Sequence, residues 1–195
     1  MSITLDPRTT ALVLIDLQKG ILGRPLAPYG AGKIVENSAA LGKSLKAAGG
    51  VVVLVKVTFA NDYADRPSQE VDEPTPMPPG GMPAEWSEFV PEIDSLQADV
   101  VITKRQWSAF YGTELDLQLR RRGIKTIVLG GVATHIGVDS TARDAWQHNY
   151  SVVIAEDACA SMGADLHAFS VEKVLRRVAR VRSTAEILAG LAGGR

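Results

Sequence analysis

Cysteine is nearly missing from this chain of 195 residues, where Cys159 stands alone. A single thiol excludes an internal disulfide and suits a reducing compartment, so a cytoplasmic location is expected. An excess of charge of either sign is missing as well. Twenty-one Lys and Arg residues meet 22 Asp and Glu residues, for a net charge of −1. That balance offers nucleic acid no basic stripe to bind. The short block Arg120-Arg121-Arg122 reads as the solvated end of a helix. No apolar run reaches the length of a membrane span. Met1 to Pro7 lacks the charged start and long apolar run of a signal peptide. Neither nucleic acid nor membrane is therefore expected as a partner.

What is present is the material of a globular enzyme-sized domain. Hydrophobic residues make up 46% of the chain, and the length fits one domain over residues 1–195 with a sizeable core. Short aliphatic runs alternate with helical patterns. Ala11 to Ile15 reads as a buried strand ending at Asp16, Val51 to Val57 as a second, and Val100 to Ile102 as a third, ending at Lys104. Ile127 to Leu129 and Val152 to Ile154 make a fourth and a fifth, and Val181 falls in a short last strand. Between them, helices are expected over Lys33 to Ala48, from Thr113 through Arg122, from Ala133 or Thr134 to about Asn149, and from Asp165 to Val178. Ser183 with Glu186 forms a capping box for the last helix. This alternation predicts an α/β fold, a three-layer α/β/α sandwich with a mostly parallel sheet. Residues 58–95 break the rhythm and hold seven of the ten prolines together with Trp86 and Phe89, which reads as an ordered excursion over the sheet edge.

Ligands of open α/β sheets bind outside the carboxyl ends of the strands. Asp16, Lys104 and the segment Gly131 to Gly137 all fall on that edge. Each residue alone has a bland explanation: a strand-end cap for Asp16, a surface lysine for Lys104. Together they make an Asp–Lys pair, in which a carboxyl can keep or release a proton according to its surroundings.

The segment Gly130-Gly131-Val132-Ala133-Thr134-His135-Ile136-Gly137-Val138-Asp139 resembles the signature of the isochorismatase-like cysteine hydrolases. Ile15-Asp16-Leu17-Gln18 resembles that family's strand-end Asp motif, and Lys104 precedes Ser108-Ala109-Phe110 as the family lysine does. The likeness runs from about Ala11 to Leu188. It implies a catalytic set at Asp16, Lys104 and Gly137, where most members carry a nucleophilic cysteine at the last position. It also implies a cis peptide at Val132–Ala133 and an oxyanion site in the backbone around Ala133, Thr134 and Gly137. Substrate contacts are expected from Ala133, Thr134 and His135, with pocket walls from Trp86, Trp107 and Phe110. True isochorismatases share His-Ile-Gly here and protonate a vinyl ether with the Asp as acid. They differ in the turn, where this chain has Ala133, and in the lysine segment. Lys104 to Gly123 and Ala155 to Cys159 more closely resemble a bacterial group of unassigned substrate, the YecD-like proteins.

The resemblance therefore implies a hydrolase of a small-molecule metabolite that works through Asp16 without a cysteine nucleophile. Two alternatives stand beside it: a non-catalytic small-molecule-binding pseudoenzyme, and an amidase-type hydrolase using another nucleophile such as Cys159. Cys159 has acidic neighbours in sequence and no base, which argues for a small buried residue. His135 reads as a positioning residue, and His148 and His167 as helix-surface residues. The nicotinamidase branch holds zinc in the loop after the second strand. Here that loop, Phe59 to Arg66, has no His, so no metal and no cofactor are expected. Relatives commonly assemble, so a homodimer or homotetramer is expected.

Overall fold

The computed structural model describes residues 3–193. Six strands form one sheet: β1 (Thr10–Ile15), β2 (Val51–Val57), β3 (Val100–Lys104), β4 (Thr126–Val132), β5 (Ser151–Ala160) and β6 (Arg180–Arg182). Their order is β3-β2-β1-β4-β5-β6, and every neighbouring pair is parallel. The helices are α1 (Lys19–Leu22), α2 (Ala31–Ala47), α3 (Pro91–Asp94), α4 (Leu115–Arg121), α5 (Asp139–Gln147), α6 (Ala164–Phe169) and α7 (Thr184–Ala192).

The alternation of side chains along each strand divides the core in two. From β1, Leu12 and Leu14 join Ile34, Leu41 and Leu45 of α2 and Ile187 and Leu191 of α7. Ala11, Val13 and Ile15 point the other way, to Leu115 and Leu119 of α4 and Ala142 and Ala145 of α5. A sheet covered on both faces can run uniformly apolar, as β1 does. The expected three-layer α/β/α sandwich is what these elements build.

Local signals behave as their chemistry requires. The hydroxyl of Ser183 accepts from the backbone of Glu186, whose side chain returns a bond to the Ser183 N–H, so the capping box opens α7. Gly123, at φ +67°, closes the stretch after α4. The helix expected from Asp165 to Val178 is instead three short pieces: α6, a π-helical turn over Ser170–Val174 and a 3₁₀ turn over Leu175–Arg177. Its apolar residues do not share one face, since Leu166 and Phe169 are exposed while Val171 and Leu175 are buried.

The proline-rich excursion returns to the segment that follows β1. The backbone N–H of Lys19 donates to Glu88 and that of Val90 to Leu17. Gln18 grips the end of β2 with its side chain, donating to the carbonyl of Val57 at 2.9 Å and accepting from its N–H at 2.8 Å. Among the described residues, no helix is long and apolar enough to cross a membrane.

Candidate active site

Strand order reverses at β1, which has β2 on one side and β4 on the other. The carboxyl ends of β1 and β4 thus flank the topological switch point, where such sheets bind ligands. Asp16 is the first residue past β1, and the turn Thr134–Val138 follows β4. Asp16 sits in the left-handed region at φ 55°, a conformation Asp tolerates better than most residues. Its N–H donates to the carbonyl of Val55, which fixes its main chain to β2.

From the end of β3, Lys104 reaches across β2 and donates from Nζ to Oδ2 of Asp16 at 2.7 Å and to the carbonyl of Gln106 at 3.1 Å. The pair is enclosed: Asp16 is 5% exposed and Lys104 3%. Oδ1 of Asp16 is buried without a hydrogen-bond partner. Burial pushes the Asp16 carboxyl up to about 6, against the pull of the Lys104 ammonium. Desolvation therefore wins over the ion pair at this carboxyl.

Gly137 completes the group. A Cβ built on it would lie 3.5 Å from Oδ2 of Asp16, 3.5 Å from the carbonyl oxygen of Trp107 and 2.9 Å from Cγ2 of Ile15. Position 137 faces the Asp16 carboxyl directly, in a buried turn where any side chain would crowd β1. The close passage of β4 over β1 has its own glycine requirement. A Cβ on Gly131, at φ +123°, would strike the carbonyl oxygen of Ile15 at 2.1 Å. The peptide Val132–Ala133 is cis, as expected.

The remaining predicted residues divide. Ala133 and Thr134 are buried at the start of the turn. His135 is half-buried beside it, with Nδ1 2.9 Å from Oγ of Ser161. Burial pushes its ring below the usual imidazole value, opposed by Asp139 and Asp165. Trp107 contributes its carbonyl to the site while the residue itself is 62% exposed. Trp86 is seated against Gly20 of α1, where a Cβ would meet its Cδ1 at 1.9 Å, and it packs on the first core cluster.

Two readings need correction. Phe110 is not a pocket wall. It belongs to the second core cluster, with its ring stacked on His148 at 5.1 Å and tilted against Tyr150 at 6.0 Å. His167 is not on the helix surface. It is 3% exposed and bonded to Thr134 and Glu156. Sequence reasoning missed Glu156, Tyr29 and Ser161 as members of this edge, and no local motif marks them. Cys159 lies within β5, paired in register with Gly131, fully buried, and burial drives its thiol far up. A protonated, enclosed thiol is inert, so it supplies no substitute nucleophile.

Among the described residues, no group of three or more His, Cys, Asp or Glu is placed to hold a metal ion. A wide groove of about 480 Å³ lies between Trp146, Ser151 and Arg176 to Arg180. Those residues mark the amino ends of β5 and β6, the opposite edge from Asp16.

The sequence pattern of the isochorismatase domain matches residues 10–186. The chain is 47% identical over 187 residues to YecD, an uncharacterized isochorismatase family protein of Escherichia coli O157:H7, covering 96% of this chain and 98% of that one. The chain belongs to the isochorismatase family. A solved isochorismatase family protein from Burkholderia thailandensis superposes with a TM-score of 0.92 at 42% identity, covering 98% of this chain and 100% of that one. More distant is RutB of Acinetobacter baylyi, named a ureidoacrylate amidohydrolase. It is 30% identical over 195 residues, which cover 89% of this chain and 80% of that one.

Proposed function

We propose that the protein is an isochorismatase-family hydrolase of a small-molecule metabolite, with Asp16 as proton carrier and no cysteine nucleophile. The observation that carries this reading is the Asp16 carboxyl. It is buried, pushed up to about 6, held on one oxygen by Lys104 and unpartnered on the other. A carboxyl poised there exchanges a proton near neutral pH, as general acid–base catalysis needs.

The glycine at 137 supports the second half of the reading. Relatives with cysteine at this position would aim it at Asp16. Here the position carries no side chain, and a Cβ on it would stand 3.5 Å from Oδ2. A reaction that needs no covalent intermediate fits a position without a nucleophile. In vinyl-ether hydrolysis, Asp16 gives a proton to the terminal carbon and the oxocarbenium ion takes up water. Asp16 recovers one proton from that water, and the hemiketal so formed collapses to a carbonyl and an alcohol as its hydroxyl proton passes to the leaving oxygen. The Lys104 ammonium holds the carboxylate left between those steps. RutB's name points to amide hydrolysis, for which Asp16 would instead draw the proton from an attacking water.

A panel of purified-protein assays on isochorismate, other vinyl ethers and small ureido and amide substrates tests the reading. Turnover in the wild type that disappears in Asp16→Asn supports it. Ligand-induced shifts in melting temperature with no turnover on any member would favour a binding protein instead.

A further inference from the structure

The same edge of the sheet carries a second buried polar cluster that the chemistry above does not use. Nδ1 of His167 lies 2.9 Å from Oγ1 of Thr134, and its Nε2 lies 3.1 Å from Oε1 of Glu156. Tyr29 donates its hydroxyl to both oxygens of Glu156, at 3.0 and 3.1 Å, and meets the imidazole edge-on at 6.0 Å. Thr134 is fully buried and His167 nearly so. The cluster joins the loop before α2, β5, α6 and the turn after β4.

Donors and acceptors give the cluster a direction. The hydrogen bond from His167 holds the Glu156 carboxyl below its usual range, with burial opposing and Tyr29 assisting. A carboxylate only accepts, so Nε2 of His167 donates to it. In the neutral ring Nδ1 is then an acceptor, which the Thr134 hydroxyl fills by donating. The chain runs Thr134 to His167 to Glu156.

Resting on the reading of Asp16 as proton carrier, we propose that Glu156 and His167 are positioning residues that clamp the Thr134 hydroxyl and so hold the 134–138 turn against Asp16. Thr134 opens that turn, and Gly137 near its other end faces the carboxyl, where a Cβ on it would stand 3.5 Å from Oδ2. Val138 anchors the far end in the second core cluster. The near end is anchored through a hydroxyl, not by packing alone. The setting of α6 is the second observation. It buries His167 while leaving Leu166 40% and Phe169 62% exposed. A helix placed for packing alone would be turned the other way.

Titration of Asp16 reads the clamp without any substrate. Asp16 is raised chiefly by burial, so a loosened turn admits water and lowers its midpoint toward the ordinary carboxylate range. The experiment follows the side-chain carboxyl of ¹³C-labelled Asp by NMR in the wild type, Thr134→Val and Thr134→Ser, with Asp16→Asn to assign the signal. The expected result is a lowered midpoint in the valine variant and recovery in the serine variant. In ¹⁵N-labelled protein, with three histidines to assign, His167 should carry its proton on Nε2. An unchanged Asp16 midpoint in folded Thr134→Val, or a neutral His167 protonated on Nδ1, overturns the proposal. Should the valine variant not fold, Glu156→Leu, which removes the acceptor at the more exposed end of the relay, carries the same comparison. Where a substrate is in hand, Thr134→Val should lower kcat about tenfold with KM little changed. Absence of turnover would sink the proposed reaction and leave the titration test standing.

Discussion

Asp16 and Asp116 are both aspartates paired with a long basic side chain, and their carboxyls shift in opposite directions. Asp116 is bonded to Nε of Arg120 at 3.0 Å on one oxygen and to the Tyr150 hydroxyl at 2.8 Å on the other. The guanidinium also lies 5.3 Å from the centre of the Tyr150 ring. Partial burial raises Asp116, but the bonds from Arg120 and Tyr150 outweigh it and hold the carboxyl below its ordinary value. Asp16 has a shorter ion pair, yet one of its oxygens is unpartnered and its enclosure is nearly complete. The difference lies in solvent and satisfied lone pairs, not in the presence of a cation. Asp116 stabilises a helix end. Asp16 is enclosed with one oxygen unpartnered, and its carboxyl is raised to about 6.

The largest expected effect breaks the comparison at its reactive member. Asp16→Asn should reduce turnover by roughly 10²–10⁴-fold, the usual range for removing a general acid or base. Asn also tolerates the left-handed backbone at this position, so the circular dichroism spectrum should be unchanged. A rate equal to wild type in steady-state assays would remove Asp16 as proton carrier. Asp116→Asn in the same assay should leave the rate within error.

Next in size is stability. The folded-state value of Asp16, about 6, stands above the ordinary aspartate value of 3.8. A raised carboxyl favours folding fully below the unfolded value, and that contribution is lost as pH rises through 6. The shift corresponds to roughly 3 kcal/mol between the two limits. Removing both charges with Asp16→Asn/Lys104→Met avoids leaving either one buried alone. The double variant should be more stable than wild type at pH 8 by about 1–4 kcal/mol. The advantage should shrink below pH 6 as Asp16 takes up its proton. Urea melts at pH 8 and pH 5 decide this, and an advantage that grows on acidification would contradict the assignment.

How much of this edge could be read from sequence depends on the kind of signal. Asp16 and Lys104 each end an aliphatic run, and parallel strands bring such ends to one edge, so their meeting was legible. Ser183 and Glu186 lie within one turn, and local geometry settled their capping box. His167 was not legible. Its neighbours Leu166 and Phe169 are the residues a periodic reading turns inward, and the structure exposes them instead. The partners that draw His167 inward, Tyr29, Thr134 and Glu156, come from three separate elements of the fold, and none lies on α6 itself. Phe110 failed for the same reason in reverse: its core partners His148 and Tyr150 follow α5, and no local pattern announces them.

A smaller effect sharpens what Asp16 can do to a neighbour. Gly137→Cys places a thiol beside Asp16 and Lys104, at the start of a helical stretch. The new Cβ would stand 2.9 Å from Cγ2 of Ile15. That methyl must give way, so a gain in stability is not expected and a cost of about 1 kcal/mol or more is. The thiol should still be alkylated by iodoacetamide faster than Cys159, which is fully buried with its thiol driven up. Equal rates at the two cysteines, read by peptide mass spectrometry, would mean that the site around position 137 does not activate a thiol.

The smallest effect belongs to the surface member of the pair. Asp116 and Arg120 have side chains 33% and 54% exposed, so water screens their attraction. Asp116→Asn should cost about 0.2–1 kcal/mol at pH 7. The sign of its pH dependence is the reverse of that at Asp16. A carboxyl lowered in the folded state stabilises above its unfolded value of 3.8, and the contribution disappears as pH falls through the folded value. The gap between Asp116→Asn and wild type in urea melts should therefore narrow as pH falls below 3.8. In the double variant at Asp16 and Lys104 the gap also closes, but near pH 6. Two aspartates in one protein would then release their influence on folding in separate pH windows, each set by whether its oxygens are bonded or merely enclosed. A single shared window for both would show that the cations, not burial, set the two carboxyls.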